Sequence, residues 1–139
     1  PETGRNLLGR LARIAEDRLG DDARAIDAYR RSLDQGGDDE EALAALERLF
    51  AKGQAWSDLA EILDRRVQLA SDPAARVELL VRLGTLRWER QEDRRGAFDA
   101  FQEVLEVQPD EPRAIGAVEG LLADDDLAPR AVEALDAAY

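Results

Sequence analysis

Apolar residues recur along the chain at intervals of three and four, the spacing that places side chains on one face of an α-helix. No segment alternates apolar and polar residues with the period of two that indicates a β-strand. Glycine, aspartate and proline separate the periodic segments. The pattern predicts eight helices, over about residues 5–19, 22–35, 39–52, 55–70, 73–91, 94–107, 111–123 and 126–138.

The residues that flank these segments have the chemistry of helix ends. Asp21 and Asp72 precede predicted helices as N-caps, and Pro73 occupies a first helical position. Acidic runs at 38–41 and 124–126 lie at helix starts, where the helix dipole favours negative charge. The first helix is predicted to carry one apolar stripe, formed by Leu7, Leu8, Leu11, Ile14, Ala15 and Leu19.

The chain contains an internal repeat. Residues 11–67 align without a gap to residues 83–139 and share sixteen identities, mostly at apolar or small positions such as Ala25 and Ala97. A repeat of this length in a helical sequence is typical of stacked helical hairpins, each of which contacts mainly its neighbours. We therefore expect an all-α solenoid of about four antiparallel helix pairs, over about residues 5–38, 39–72, 73–110 and 111–139.

Two of these hairpins resemble the tetratricopeptide repeat. The matching residues are Ala97, Phe101, Leu105 and Pro109 in the sixth helix and its flank, Leu80, Leu83 and Gly84 in the fifth helix, and Leu8, Leu11, Ala12, Gly20, Ala25, Tyr29 and Leu33 in the first hairpin. The other two hairpins depart from the pattern, with Leu46 and Val118 where the family has a small residue. The resemblance implies a right-handed superhelix in which short side chains let paired helices approach closely. The residues at these close approaches are Ala12, Ala25, Gly84 and Ala97.

Members of that family bind extended peptides or partner helices in a concave groove, so the resemblance implies a protein–protein interaction scaffold. The matching groove positions are Asn6, Arg13, Glu16, Asp17, Glu40, Leu43, Glu47, Phe50, Glu78, Val81, Thr85, Trp88 and Glu89. Trp88 is the first choice as an anchor, because an indole beside polar residues is a common binding hot spot. The alternative is that Trp88 belongs to the core. The acidic groove positions favour a basic, arginine-bearing partner, and the alternative is a solvated acidic face.

Composition narrows the classes of partner. The formal net charge of −12 argues against binding to nucleic acid or to an anionic membrane. No apolar run approaches the roughly 20 residues of a membrane-spanning helix. We expect a cytoplasmic domain from a longer repeat protein, and the arginine-rich, lysine-poor composition is typical of a GC-rich bacterial genome.

The residue types offer little for catalysis or metal binding. The chain has no cysteine and no histidine, and it has no glycine-rich phosphate loop. The acidic runs lack the glycine and acid spacing of a calcium loop. We therefore predict no enzyme activity, no cofactor and no metal site. Two alternative functions are open at this point. One is end-to-end self-assembly through open solenoid ends, and the other is that of an accessory helical domain in a larger protein.

Overall fold

The computed structural model of the protein describes residues 2–36 and 39–138, with side chains for residues 7–35 and 39–138. All regular structure in these residues is helical. The helices are α1 (Glu2–Asp17), α2 (Asp22–Gly36), α3 (Glu40–Lys52), α4 (Trp56–Leu69), α5 (Pro73–Glu89), α6 (Arg94–Val107), α7 (Pro112–Gly120) and α8 (Ala128–Ala138), with a 3-10 turn at Leu121–Ala123 after α7. The predicted all-α class is confirmed, and each predicted helix lies within a few residues of its expected bounds.

Aspartate side chains begin several helices. Asp21 and Asp93 each accept a hydrogen bond from the backbone amide three residues later, at 3.1 and 2.9 Å. Asp72 does the same at 3.3 Å, and Asp39 accepts from the amide two residues later at 3.1 Å. These bonds satisfy amides that have no acceptor within the helix. The N-caps predicted at Asp21 and Asp72 and the acidic start of α3 are confirmed, and the cap at Asp93 is an additional one.

The internal repeat extends to the backbone of the turns. We call two residues equivalent when they lie 72 positions apart. Gly20, between α1 and α2, has a φ of +61°, and the equivalent Glu92, between α5 and α6, has a φ of +52°. The amide of Asp21 donates to the carbonyl six residues earlier at 2.8 Å, and the amide of the equivalent Asp93 does so at 2.8 Å. The two turns therefore share one conformation.

Contacts between Cα atoms divide the chain into two units, unit 1 up to Ile62 and unit 2 from Leu63, and the division lies inside α4. In unit 1, α1 packs against α2, and α2 packs against α3. In unit 2, α5 packs against α6, and α6 packs against α7 and α8. The pairs α1–α2 and α5–α6, which are equivalent in sequence, have the most extensive packing among these.

Short side chains lie in these two helix pairs at buried positions. Ala12 and Ala25 are buried in unit 1, and Gly84 and Ala97 are buried in unit 2. A Cβ atom built onto Gly84 would lie 2.7 Å from the ring of Phe101, well inside the separation of about 3.5–4 Å at which carbon atoms pack. The predicted close approach through a small residue is therefore confirmed for α5 and α6.

The predicted apolar stripe of α1 is divided between two faces. Ala15 is buried and Leu8 is half-buried, on the side of the helix that also carries the buried Ala12. The other four stripe residues, Leu7, Leu11, Ile14 and Leu19, are exposed. The stripe is wider than the face that α2 covers, and no other described helix of unit 1 covers the remainder. Four further apolar residues of the predicted helices are also exposed, namely Leu69, Val107, Leu122 and Val132.

Candidate partner-binding pocket

A pocket of about 280 Å³ lies in unit 2 between α5 and α7, with α6 behind it. Helix α5 contributes Val81, Thr85, Trp88 and Glu89, α6 contributes Phe101, and α7 contributes Arg113, Gly116, Ala117 and Gly120. The four α5 residues are all predicted groove residues. We call this site the Trp88 pocket.

Helical spacing explains why these side chains converge. Val81, Thr85 and Trp88 follow one another at i, i+4 and i+7, so they share one face of α5. The pocket positions of α7 run from Arg113 to Gly120 at helical spacing and share one face of that helix. The two faces lie beside each other because α5 and α7 both pack in unit 2 around α6.

The Trp88 pocket is apolar inside and polar at its rim. Val81 and Phe101 are buried, and Trp88 is half-buried, so one part of the indole belongs to the core and the other is accessible. Thr85 and Glu89 are exposed beside it. A concave apolar surface with a few polar groups at its edge is the usual composition of a binding site.

Two glycines keep the pocket open. A Cβ atom built onto Gly116 would meet no heavy atom within 4 Å, so the position faces free space. A Cβ atom built onto Gly120 would lie 3.4 Å from Cη2 of Trp88. Any side chain larger than alanine at either position would therefore occupy space that a ligand could use.

An arginine with two carboxylate partners forms one edge of the pocket. The guanidinium of Arg113 donates to Glu78 on α5 at 2.6 and 3.2 Å, and its Nε donates to Glu111 at 2.9 Å. Glu111 is buried and caps α7, accepting from the amide of Arg113 at 2.7 Å. Hydrogen bonds from Arg113 hold the pKa of Glu78 and the pKa of Glu111 below their usual values. Hydrogen bonds to these two carboxylates raise the pKa of Arg113 above its usual value.

The net charge of this region is negative. Arg113 is the single cation among the pocket-lining residues, and its hydrogen bonds already join it to Glu78 and Glu111. Glu89 is the other charged lining residue, and it lies three helical turns along α5 from Glu78, at the far end of the pocket from Arg113. The electrostatic field at the rim therefore favours a cationic group.

The equivalent place in unit 1 holds a cavity of only about 60 Å³, lined by Gly9, Arg13, Tyr29 and Glu41 among others, and ion pairs cross it. Arg13 of α1, equivalent to Thr85, pairs with Glu41 of α3 at 3.3 Å. Glu16 of α1, equivalent to Trp88, pairs with Arg48 of α3 through two hydrogen bonds, one of them 3.0 Å long. In unit 2, Gly120 takes the place of Arg48. The two repeats thus differ in the size of this cavity, which is larger in unit 2 where Trp88 faces Gly120.

The predicted groove residues of unit 1 have mixed positions. Arg13 and Glu16 are engaged in the ion pairs between α1 and α3. Asp17 and Glu40 are exposed, and Glu47 is half-buried. Leu43 and Phe50, by contrast, are buried in the core of unit 1, where they offer no free side-chain surface. Asn6 lies in α1, outside the residues whose side chains the structure describes.

Five lining residues of the pocket are absent from the predicted set, namely Phe101, Arg113, Gly116, Ala117 and Gly120. A signal for the α7 residues exists in the sequence, because glycine inside a helix costs about 1 kcal/mol relative to alanine. Gly116 and Gly120 are one helical turn apart, so they mark one bare face of a short helix. The sequence does not show that this face lies opposite Trp88.

The acidic runs have local structural contacts. Asp124 accepts a hydrogen bond from the amide of Asp126 at 2.9 Å and pairs with Arg94 at 3.5 Å. Asp39 caps α3. Among the described residues, no three acidic side chains converge in a group that could hold a metal ion.

Comparisons with known proteins find no match, either among protein-family models or among curated proteins. The resemblance to the tetratricopeptide repeat therefore depends on the residues of this chain and on the equivalence of its two halves. Within the part of the chain that the structure describes, no helix has the length and apolar character needed to span a membrane.

Proposed function

We propose that the protein is a non-catalytic interaction module, a tetratricopeptide-like helical repeat that binds a peptide or helix of a partner protein. The Trp88 pocket is the anchoring site. The observation that carries this proposal is the contrast between the repeats, in which a pocket of about 280 Å³ in unit 2 corresponds to one of about 60 Å³, crossed by ion pairs, in unit 1. The presence of two glycines in α7, at a cost in helix stability, supports a role for the open space.

The pocket suits one amino-acid side chain. Its volume of about 280 Å³ is at the lower limit of small-molecule sites, which span about 300–1,000 Å³. An arginine side chain matches both the apolar interior of the pocket and the carboxylate at its rim. Its aliphatic part would lie against Val81 and the indole of Trp88, where a guanidinium also gains cation–π energy. Its charge would pair with the exposed Glu89.

The net charge supports a protein partner over a nucleic acid. At −12, the chain repels phosphate groups at long range and attracts basic segments. The arginine-bearing peptide proposed here therefore agrees with both the pocket and the whole chain.

The experiment is a selection from a random-peptide display library, followed by affinity measurement on the selected peptides. We expect the selected peptides to share an arginine, and we expect the variant Gly116→Leu to bind them at least tenfold more weakly. Ala44→Leu is the matched control, because Ala44 is the equivalent exposed position of α3. It should leave the affinity unchanged.

Fluorescence can place the peptide at the pocket. In a Trp56→Phe background, Trp88 is the only tryptophan of the chain, so a change in emission on peptide addition reports on the pocket itself. Selected peptides that bind Gly116→Leu as tightly as the unaltered chain, with no change in Trp88 emission, would contradict the proposal.

A further inference from the structure

Helices α5 and α7 lie parallel, so their C-terminal ends are at the same end of the Trp88 pocket. Near the start of both helices, Arg113 of α7 donates to Glu78 of α5. Near their ends, a Cβ atom built onto Gly120 of α7 would lie 3.4 Å from the indole of Trp88. The last carbonyl groups of a helix carry a partial negative charge. The end of the pocket that holds Glu89 is therefore the negative one.

The turns that follow these two helix ends carry exposed carboxylates. Asp124, after α7, pairs at 3.5 Å with Arg94 at the start of α6, so the two turns are neighbours. Glu92 lies in the turn after α5, and Asp125 and Asp126 lie in the turn after α7. All three are exposed at the same end of unit 2 as the negative end of the pocket. We call these three residues the turn acids.

The turn acids have no acidic equivalents in unit 1. The residues 72 positions earlier are Gly20, Gly53 and Gln54. The segments 89–95 and 123–126 together contain six acidic residues and three arginines, whereas the equivalent segments 17–23 and 51–54 contain three acidic residues, one arginine and one lysine. The additional negative charge thus belongs to the repeat that has the larger cavity.

The turn acids are not needed to form the turns. The turn before α6 has the conformation of the turn before α2, where Gly20 stands in place of Glu92. An ion pair links the equivalent helix ends in each unit with its charges exchanged, and in unit 1 it joins Lys52 to Asp22 at 2.9 Å. Carboxylates grouped on one surface also repel each other. The presence of the turn acids beside the larger cavity therefore supports a role in binding.

We infer that the partner of the Trp88 pocket is a segment with two basic residues, an arginine in the pocket and a second basic residue on the turn acids. This inference rests on the function proposed above. The guanidinium of the arginine lies at Glu89, and the segment continues across the C-terminal ends of α5 and α7. Helix ends and carboxylates both favour positive charge along that path.

Calorimetric titration with two matched peptides tests the inference. We expect the arginine-bearing peptides from the selection to carry a second basic residue within a few positions of the arginine. One peptide keeps that residue and the other has glutamine in its place. The unaltered chain should bind the first peptide about fivefold more tightly, the gain expected from an exposed charge pair. In the variant Glu92→Gln/Asp125→Asn/Asp126→Asn this advantage should disappear, while the affinity for the second peptide is unchanged.

A matched control separates the turn acids from the net charge of the chain. Glu106→Gln/Glu133→Gln/Asp136→Asn removes the same number of exposed carboxylates from α6 and α8. It should leave the fivefold advantage in place. Because all six positions are exposed, circular dichroism should show unchanged helix content in both variants.

The outcomes separate this inference from the function on which it rests. An advantage that survives in the turn variant, or that disappears equally in the control, would overturn the inference. So would selected peptides that carry a single basic residue. The pocket itself would still stand in those cases if Gly116→Leu weakens the binding of both peptides. If Gly116→Leu binds both peptides like the unaltered chain, the pocket and the inference both fail.

Discussion

At the scale of single residues, glycine has two different uses in this chain. At Gly84 the missing side chain lets α5 and α6 approach, because a Cβ atom would lie 2.7 Å from the ring of Phe101. At Gly116 the missing side chain leaves space, because a Cβ atom would meet nothing within 4 Å. The same substitution should therefore have opposite effects at the two positions.

We expect Gly116→Ala to stabilise the protein by about 1 kcal/mol, the gain in helix propensity. Gly84→Ala makes the same gain in propensity, but it forces the Phe101 ring to move, and overpacking of this kind costs about 1–3 kcal/mol. Its net effect should be destabilising. Urea unfolding of both variants measures the two values, and the prediction is contradicted if Gly84→Ala is the more stable of the two.

The turns before α2 and α6 provide a matched pair of backbone tests. Glu92 has a φ of +52° in a turn where the equivalent residue is Gly20. A left-handed conformation costs a residue with a side chain about 1–2 kcal/mol, and the greater freedom of glycine in the unfolded chain offsets part of that. Glu92→Gly should therefore stabilise by about 0.5–1 kcal/mol.

The reverse change, Gly20→Ala, should destabilise by a similar amount for the same reason. Thermal and urea unfolding measure both variants. If both substitutions shift stability in the same direction, the shared turn conformation does not determine the effect.

At the scale of helices, the sequence predicts best where both ends carry a chemical signal. The bounds of α6 match the prediction, because Asp93 caps its start and Pro109 follows its end. Helix α7 ends earlier than its periodicity suggests, and a 3-10 turn follows Gly120. The sequence alone did not separate the α-helical part of this segment from the 3-10 part.

The candidate site was only partly predictable, because it depends on residues from different helices. The α5 positions followed from the resemblance and from helical spacing. The partner of Trp88 across the pocket is Gly120, on α7, and nothing in the local sequence of either helix indicates that they meet. Leu43 and Phe50 show the same limitation, because they were predicted to line the groove but are buried. The local sequence does not show how many helices pack over a given face.

The link between α5 and α7 gives the stability a defined pH dependence. The pKa of Glu78 is lowered by hydrogen bonds from Arg113, so in the folded state this carboxyl keeps its charge to lower pH than in the unfolded state. Its contribution is present above the ordinary value of 4.5 and is lost as pH falls through the lower folded-state pKa. Acid should therefore weaken the link.

Urea unfolding of the unaltered chain and of Glu78→Gln between pH 7 and pH 3 measures this effect. We expect the unaltered chain to be the more stable at pH 7, and we expect the difference to shrink as the pH falls below 4.5. In an Arg113→Gln background, Glu78→Gln should produce no such pH-dependent difference. A difference that grows toward low pH would contradict the assigned role of Arg113.

At the scale of the whole molecule, the net charge of −12 makes the response of stability to salt a test of the surface electrostatics. Exposed ion pairs such as Arg30–Asp58 and Lys52–Asp22 contribute about 0–1 kcal/mol each, and salt weakens them. Salt also screens the repulsion among the excess carboxylates, which acts over the whole surface. Because acids outnumber basic residues by 31 to 19, we expect repulsion to dominate, so added sodium chloride should raise the melting temperature at pH 7.

Near the isoelectric point of about 4.4 the excess charge is small, and the same salt should have no stabilising effect or should lower the melting temperature. Differential scanning calorimetry at several salt concentrations measures this response. A melting temperature that falls with salt at pH 7 would show that the ion pairs outweigh the repulsion.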